Sequence, residues 1–572
     1  MRIRGAKDSY TLILCKMNGQ KMGIIPYTSI ESIKRGIKTV SELTFNVSKY
    51  NGENNELNPL YNELKTERFI YLDEDECYVI KSITESDERI KSITAYSREK
   101  KLFKIIAEFE DISITLRTPY ADIEGCFSLD ELLYDATGWH LGYISPNVLY
   151  KSNETVMDII TGNSSTTLTT EEKLRYQESV STNWYDYINT DIAEQFECFP
   201  VFNSYNKTID LYSDDELGED PNLMLSYDNY LKKIECVDDT EDIVTRLTLG
   251  GNDDLTISEI NPSGDTYIEN YSYFIESGEM SNSLISALNL YYDMVKQRAI
   301  TWNQLKERKA EVISEMTDKK NELLIVYSTI KSIEFTIAQS SDEAYISQQT
   351  ERIYGSGGYN DQRTVLEKRI DELEIELNGE NRDGTGGLNG AIDNINKLCK
   401  KKYATDNNGL LIFNEALLNE LKDFIYQDNY SNDCITDNLT LMQVGKRKLN
   451  QSCFPKKTWS IDAINFIERL MDNGFRQHWD GELGLGDMIV LKGDNTIEVI
   501  YLISYTQNFK NKTIDLELSN KKDENDFSLS IGERLTQGKE AYKIIKRSRS
   551  TINRVNKNRV GLSYDKINKK IL

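Results

Sequence analysis

Trp302, Leu305, Lys309, Val312, Met316, Lys319, Leu323, Val326, Ile330, Ile333 and Ile337 follow one another at alternating steps of three and four residues. That step is the a/d seam of a coiled coil; a strand repeats its side chains every second residue and does not produce it. One long helix is therefore expected from about Ser281, its seam weakened locally by the two lysines. After the glycine-rich break YGSGGYND (Tyr354 to Asp361), Leu366, Ile370, Leu373 and Leu377 resume the same step. A second break follows at GENRDGTGGLNG, with shorter helices expected near Ala391 to Cys399 and Glu415 to Ile425. An intrachain hairpin and a bundle between subunits ask for the same pattern. Trp302, Leu305, Val312, Met316, Leu323, Val326, Ile330, Ile333 and Ile337 are thus candidates for either role, helix packing or assembly.

The flanks keep a different period. Asn18-Gly19, between Thr11 to Cys15 and Met22 to Ile25, supplies the positive φ of a tight hairpin. SELTFNVSKY puts Leu43, Phe45 and Val47 on one face, and CYVIKSITESDERIKSITAYS folds back around Ser86-Asp87. Near the other end, Met488 to Leu491, Ile497 to Ser504 and Thr513 to Leu518 read as strands, with a turn at Gly493-Asp494-Asn495. Between these flanks, SLDELLYDATGW reads as a helix capped by Ser128 and closed by Gly138. WYDYINTDIAEQFECFPVFNSYNKTIDLYS passes from helix to two strands around Tyr205-Asn206. In LTLGGNDDLTISEI, Gly250 to Asp254 separate two apolar runs, Ile243 to Leu249 and Leu255 to Ile260. This is expected to be a hairpin turn, because the alternating acidic oxygens and closing Glu of a calcium loop are missing. The expected class is α+β multidomain: barrel-like β modules at both ends, mixed modules between them, and an inserted helical coiled-coil hairpin. The boundaries read are 1–110, 111–215, 216–280, 281–428, 429–520 and a tail, 521–572.

A net charge of -25 argues against a protein held to nucleic acid by phosphate contacts. Basic residues gather instead between Lys539 and Leu572, eleven Lys or Arg against two acids, which reads as a solvated tail or one docked on an acidic neighbour. The eight cysteines stand singly, so free thiols are expected. No window reaches eighteen apolar residues and the start carries only a short apolar run, so neither membrane span nor signal peptide is expected, and synthesis and folding in the cytoplasm are.

Histidine supply limits the chemistry further. Only His140 and His478 exist, each beside a tryptophan, and both read as packed against an aromatic. HExxH, GxSxG and GxxxxGKS are absent from the sequence. Glu194 and Glu197 in IAEQFECF could form an acid pair, yet the solvated face of a helix is the simpler reading. The two glycine-rich stretches lie between helices and read as linkers rather than phosphate cradles. Catalytic residues, cofactor and metal are all expected to be none.

NPLYNELK (58–65), YVIKSITESD (78–87), ITAYSREKKL (93–102), TGWHLGYI (137–144), IAEQFECFPVFNSYNKTIDLYS (192–213), the long stretch 225–274 and ELGLGDMIVL (482–491) together resemble the prophage tail protein family. These are hub-type minor structural proteins at the tail tip of phages of Gram-positive hosts, often called tail-associated lysins. The resemblance runs in order over about 1–280 and returns at 455–520. It implies two tube-like β-barrel domains per chain, accessory domains between them, and a homotrimer that matches a sixfold tail tube to a threefold tip. Implied partners are a distal tail protein hexamer, the tape measure protein, and receptor-binding or tip-fibre proteins, with DNA passing through the lumen without specific binding. Many relatives carry a peptidoglycan hydrolase beyond the hub. Here about fifty basic and polar residues follow Asn520, so the hydrolase name is not expected to transfer.

The leading expectation is a structural hub in the virion tail tip that closes the tube and opens for tape measure and DNA. A tail-borne peptidoglycan hydrolase is the alternative, and a host-binding adhesin a third reading. Net negative charge suits a conduit for DNA, because it repels phosphates.

Overall fold

A computed structural model describes residues 2–4, 10–51, 55–86, 89–162, 167–226, 231–464, 482–492 and 497–522. His478, Asp87, the Gly493-Asp494-Asn495 turn and the basic tail lie outside the described residues. The chain divides into two units and passes between them repeatedly. The first takes 1–97, 217–236 and the chain from Thr458 onward; the second takes 98–216 and 237–457.

The first unit is built on one sheet of thirteen strands. Its N-terminal part follows the predicted hairpins. Leu12–Cys15 pairs with Lys21–Ile24 around Gly19 (φ 83°), and Glu76–Ser86 pairs with Ile90–Ser97. Leu43, Phe45 and Val47 all point inward from Glu42–Ser48 and are fully buried. They join Leu12, Leu14, Ile70, Tyr78, Ile80 and Ile93 in one core, while Trp459, Ile461, Ile489, Ile500, Leu502, Leu516 and Leu518 form another. The two β-rich ends, expected as separate barrels, are therefore joined edge to edge. Ser504–Asn508 pairs antiparallel with Ser32–Gly36, and no closed barrel forms among the described residues. A register shift between Leu502 and Ser504 makes this junction possible. The extra residue bends the strand Ile497–Asn508; its second half stays paired with Thr513–Ser519, with Tyr505 in the C-terminal core, while its other edge meets the N-terminal sheet.

The segment Leu217–Cys236 enters this unit through a tight backbone crossing. Gly218 (φ 79°) lies against Gly486, where an added Cβ would stand 2.1 Å from the carbonyl carbon and oxygen. The fully buried Asp487 fixes the crossing by accepting the N–H of Glu219 at 2.8 Å and of Gly484 at 2.7 Å. Gly218→Ala combines left-handed strain with a backbone clash. It is expected to cost about 2–4 kcal/mol in urea denaturation, and a loss below about 1 kcal/mol would show that the crossing yields.

The second unit is mixed α+β. Ser128 caps Leu129–Thr137 by accepting the Glu131 N–H, and Gly138 closes it at φ 70°. His140–Ile144 lies parallel to Thr208–Tyr212, which pairs antiparallel with Phe199–Asn203. The hairpin expected around Gly250 to Asp254 does not form. Arg246–Gly250 is a strand, but Leu255–Ile260 does not fold back on it; the antiparallel partner is Tyr267–Glu269. Asp253 and Asp254 both take positive φ, and the backbone of the turn is used locally and by Ile435: Gly251 N–H donates to Leu255 O, and Asn252 N–H to Ile435 O. Ile257 is then free to bury itself against Leu249 and Leu441, which satisfies the apolar run without a ladder.

Candidate functional site: the helical arm and its anchor

The strand Arg246–Gly250 has Tyr267–Glu269 on one side and the parallel strand Gln427–Ser431 on the other. The chain between those two flanking strands is an arm of helices. Ser281 starts it by accepting the Leu284 N–H, and Asn282–Gln339 runs unbroken for 58 residues, roughly 90 Å. Glu343–Tyr354, Tyr359–Asn378 and Gly387–Leu398 then pack back along it.

The seam residues line the inward face of the long helix. Val312 is fully buried with Leu373 and Leu377, and Met316 packs beside them. Val326, Ile330 and Ile333 bury against Ile353, with Ile337 and Leu366 alongside. Trp302 is buried and donates from Nε1 to Asn396 Oδ1 at 2.8 Å; Leu305 and Leu323 are half-buried. Within one chain the seam thus finds partners on helices that follow it. Ion pairs bracket it: Arg308 holds Glu376 at 2.8 Å, and Arg369 holds Glu315 at 2.8 Å.

The base of the arm is held by a buried ionic group that spacing could not have revealed, because its members are far apart in sequence. Glu269, 9% exposed, accepts from Arg246 Nε (3.0 Å) and Nη2 (2.7 Å), from the Tyr271 hydroxyl (2.8 Å), and from Lys401 Nζ. Lys401 lies over the rings of Tyr271 and Tyr291, whose phenols burial pushes well above their ordinary range. Arg298 adds bonds to the carbonyls of Leu398 (2.8 Å) and Thr405 (2.6 Å). A carboxylate shared between the Arg246 guanidinium, a phenol and a Lys401 amine that burial pushes down to about 7 is satisfied in place, which makes the joint specific in geometry. Its chemistry is mechanical: it fixes where the arm leaves the small sheet.

Glu194 and Glu197 each face a cation of the helix Asn438–Ser452, Lys448 at 2.6 Å and Arg447 respectively, so they act as a docking pair. Beside them Lys173 is buried and donates to Asn147 O at 2.7 Å. Burial pushes it down to about 8, Glu197 opposing and Arg175 and Arg447 reinforcing the shift. Its folded value lies below its unfolded value of 10.5, so the unfolded chain binds more protons between the two. Stability should therefore rise from pH 8 towards 10.5, by up to about 1.4 kcal/mol per pH unit, relative to Lys173→Met. Urea denaturation of both proteins at pH 7 and pH 10 checks this, and parallel curves would contradict it. His140 stacks on Tyr134 and lies 3.3 Å from Asp130. The two glycine-rich stretches are interhelical turns. Among the described residues no group of three or more His, Cys, Asp or Glu is placed to hold a metal, and no helix is long and apolar enough to cross a membrane.

No family profile matches the chain. It is 24% identical over 540 residues to an SPbeta prophage-derived uncharacterized protein, YomG, of Bacillus subtilis, covering 89% of this chain and 55% of that protein. The chain therefore spans about half the length of the curated relative it matches. Among solved structures it is similar to prophage tail protein gp18 of Listeria monocytogenes, with TM-score 0.42 and 11% identity over 92% of this chain and 98% of that one. A 43 kDa tail protein of prophage MuSo2 from Shewanella oneidensis gives TM-score 0.38 and 6% identity, over 90% and 98%. At such scores the structural likeness is loose, and the sequence relationship to the prophage-derived protein is the stronger tie.

Proposed function

We propose that the chain is a structural protein of a bacteriophage tail tip, a homotrimeric hub that closes the tail tube and opens for tape measure and DNA. The observation that supports a phage origin is the similarity to a prophage-derived protein over 540 residues; the hub, the trimer and the opening are what the resemblance to the prophage tail protein family implies. In this reading the first unit (1–97, 217–236 and the chain from Thr458) carries the tube-like domains, the second unit carries the accessory domains, and 281–428 is the arm. A distal tail protein hexamer and the tape measure protein are its partners.

One sheet face suits the conduit. Asp462 stands opposite Asp515 on paired strands, and Glu517 lies next along the same strand face, its carboxylate taking the Ser504 hydroxyl at 2.5 Å. Burial, with the charge of Asp462, pushes Asp515 above the usual carboxylate range. We assign this face, where Lys34, Lys232 and Lys233 partly offset the carboxylates, to the bore. A trimer whose bore is lined mainly by Lys and Arg would overturn that assignment.

Light scattering of the purified protein over a concentration series tests the hub. A mass near three times 65.9 kDa is expected. A monomer that also clears purified host cell wall, with clearing lost on substitution of an acidic residue, would replace the hub by a hydrolase.

A further inference from the structure

Beyond Gln339 the chain turns at Ser340–Asp342 and lays Glu343–Tyr354 back along the end of the long helix. Asp342 caps the second helix by accepting the N–H groups of Ala344 and Tyr345, and Ile353 pins it to Ile333 and Ile330. The polar sides of the two helices then face each other across a groove of about 420 Å³. That volume lies within the range of small-molecule sites.

The lining has a definite donor and acceptor pattern. Ser328 and Thr329 each donate their hydroxyl proton to Ile325 O, and Thr336 donates to Ile333 O, all at 2.8 Å. Their oxygens are left as acceptors, so a ligand that uses this wall brings O–H or N–H donors to it. The opposite wall supplies the converse. Arg352 donates to Gln349 Oε1 at 2.9 Å, orienting the amide so that its N–H groups are free to donate, and Arg352 forms no ion pair among the described residues. The ring of Tyr345, 37% exposed, and the buried side chain of Ile333 add apolar surface beside these polar groups.

We propose that this groove binds a neutral saccharide. A pyranose matches the lining on each count: hydroxyls that donate to the serine and threonine oxygens, oxygens that accept from Gln349 and Arg352, and a C–H face for the Tyr345 ring. An apolar peptide would leave the hydroxyl oxygens unmatched, and a simple anion would use the donors of Gln349 and Arg352 but leave the hydroxyl oxygens of the opposite wall without a donor. The site stands independently of the hub reading, since a negative result here leaves the mass of the assembly unchanged.

Saturation-transfer NMR on the full chain, with glucose, N-acetylglucosamine and maltose as probes and glycerol phosphate as the anionic comparison, tests it. Transfer to the ring protons of at least one sugar is expected. Tyr345→Ala and Gln349→Ala should each weaken it about five-fold or more, the loss of roughly one hydrogen bond or stacking contact. Tyr345→Phe should retain it, and the melting temperature of all three variants should match the parent, which separates binding from folding. No transfer to any of the three sugars, equal transfer in the alanine variants, or a response to glycerol phosphate alone would each overturn the proposal.

Discussion

Arg35→Ala should unfold the first unit at a distinctly lower urea concentration than the parent, a loss of about 3–5 kcal/mol. Arg35 is 4% exposed and its Nη2 lies 2.5 Å from Glu76 Oε1, while Nη1 donates to the Tyr505 hydroxyl at 3.2 Å. The other carboxylate oxygen of Glu76 accepts the Tyr78 hydroxyl, and burial pushes the Tyr505 phenol up to about 12. Removing the guanidinium strands a carboxylate in the core with phenols alone around it. The cost comes from that orphaned charge rather than from the strength of the pair, so Arg35→Met combined with Glu76→Leu should lie closer to the parent than either single change. If Arg35→Ala loses less than about 1 kcal/mol, the pair is dispensable and the two cores alone hold the unit together.

Ile330→Asp should cost the arm about 3 kcal/mol or more and reduce the helical circular dichroism signal at a temperature where the parent is intact. Ile330 is 8% exposed and sits among Val326, Ile333 and Ile353, so the new carboxylate has no cation within that cluster to meet it. Because those partners belong to the same chain, the mass by light scattering should stay at the parent value. The reverse pattern, a reduced mass with unchanged melting, would move the seam from the hairpin to an interface between subunits.

These two sites differ in how far the sequence revealed them. The long helix was legible because a three-four step over some thirty-five residues fits no strand, although the same step left open whether the seam closes within the chain or between subunits. Local rules were also sufficient for Leu43, Phe45 and Val47, and for the Ser128 to Gly138 helix with its two caps. What escaped was non-local. Nothing near Arg35 announces Tyr505, and no pattern in Ile497–Asn508 shows that its second half also pairs with the edge of the N-terminal sheet. The misread hairpin after Gly250 has the same origin: Leu255 and Ile257 satisfy their apolarity against the helix Asn438–Ser452, far along the chain, instead of against the adjacent strand. The Glu269–Arg246–Lys401 group was hidden likewise, since a lysine 132 residues away carries no local mark of its partner.

The three-segment threading of the first unit sets a timetable for synthesis. Thr28–Gly36 receives its partner only when Ser504–Asn508 leaves the ribosome, about four hundred residues after the N-terminal segment is complete. At ordinary elongation rates that interval is roughly 20–80 s. Throughout it a nascent chain carries an open strand edge, on a polysome where neighbouring copies expose the same edge. Lys34 on that strand gives the waiting edge a positive charge, which disfavours pairing with its own kind. The clasp that later closes the unit therefore begins as a guard against premature association, and the cell that makes this protein must tolerate a half-finished sheet for most of its translation.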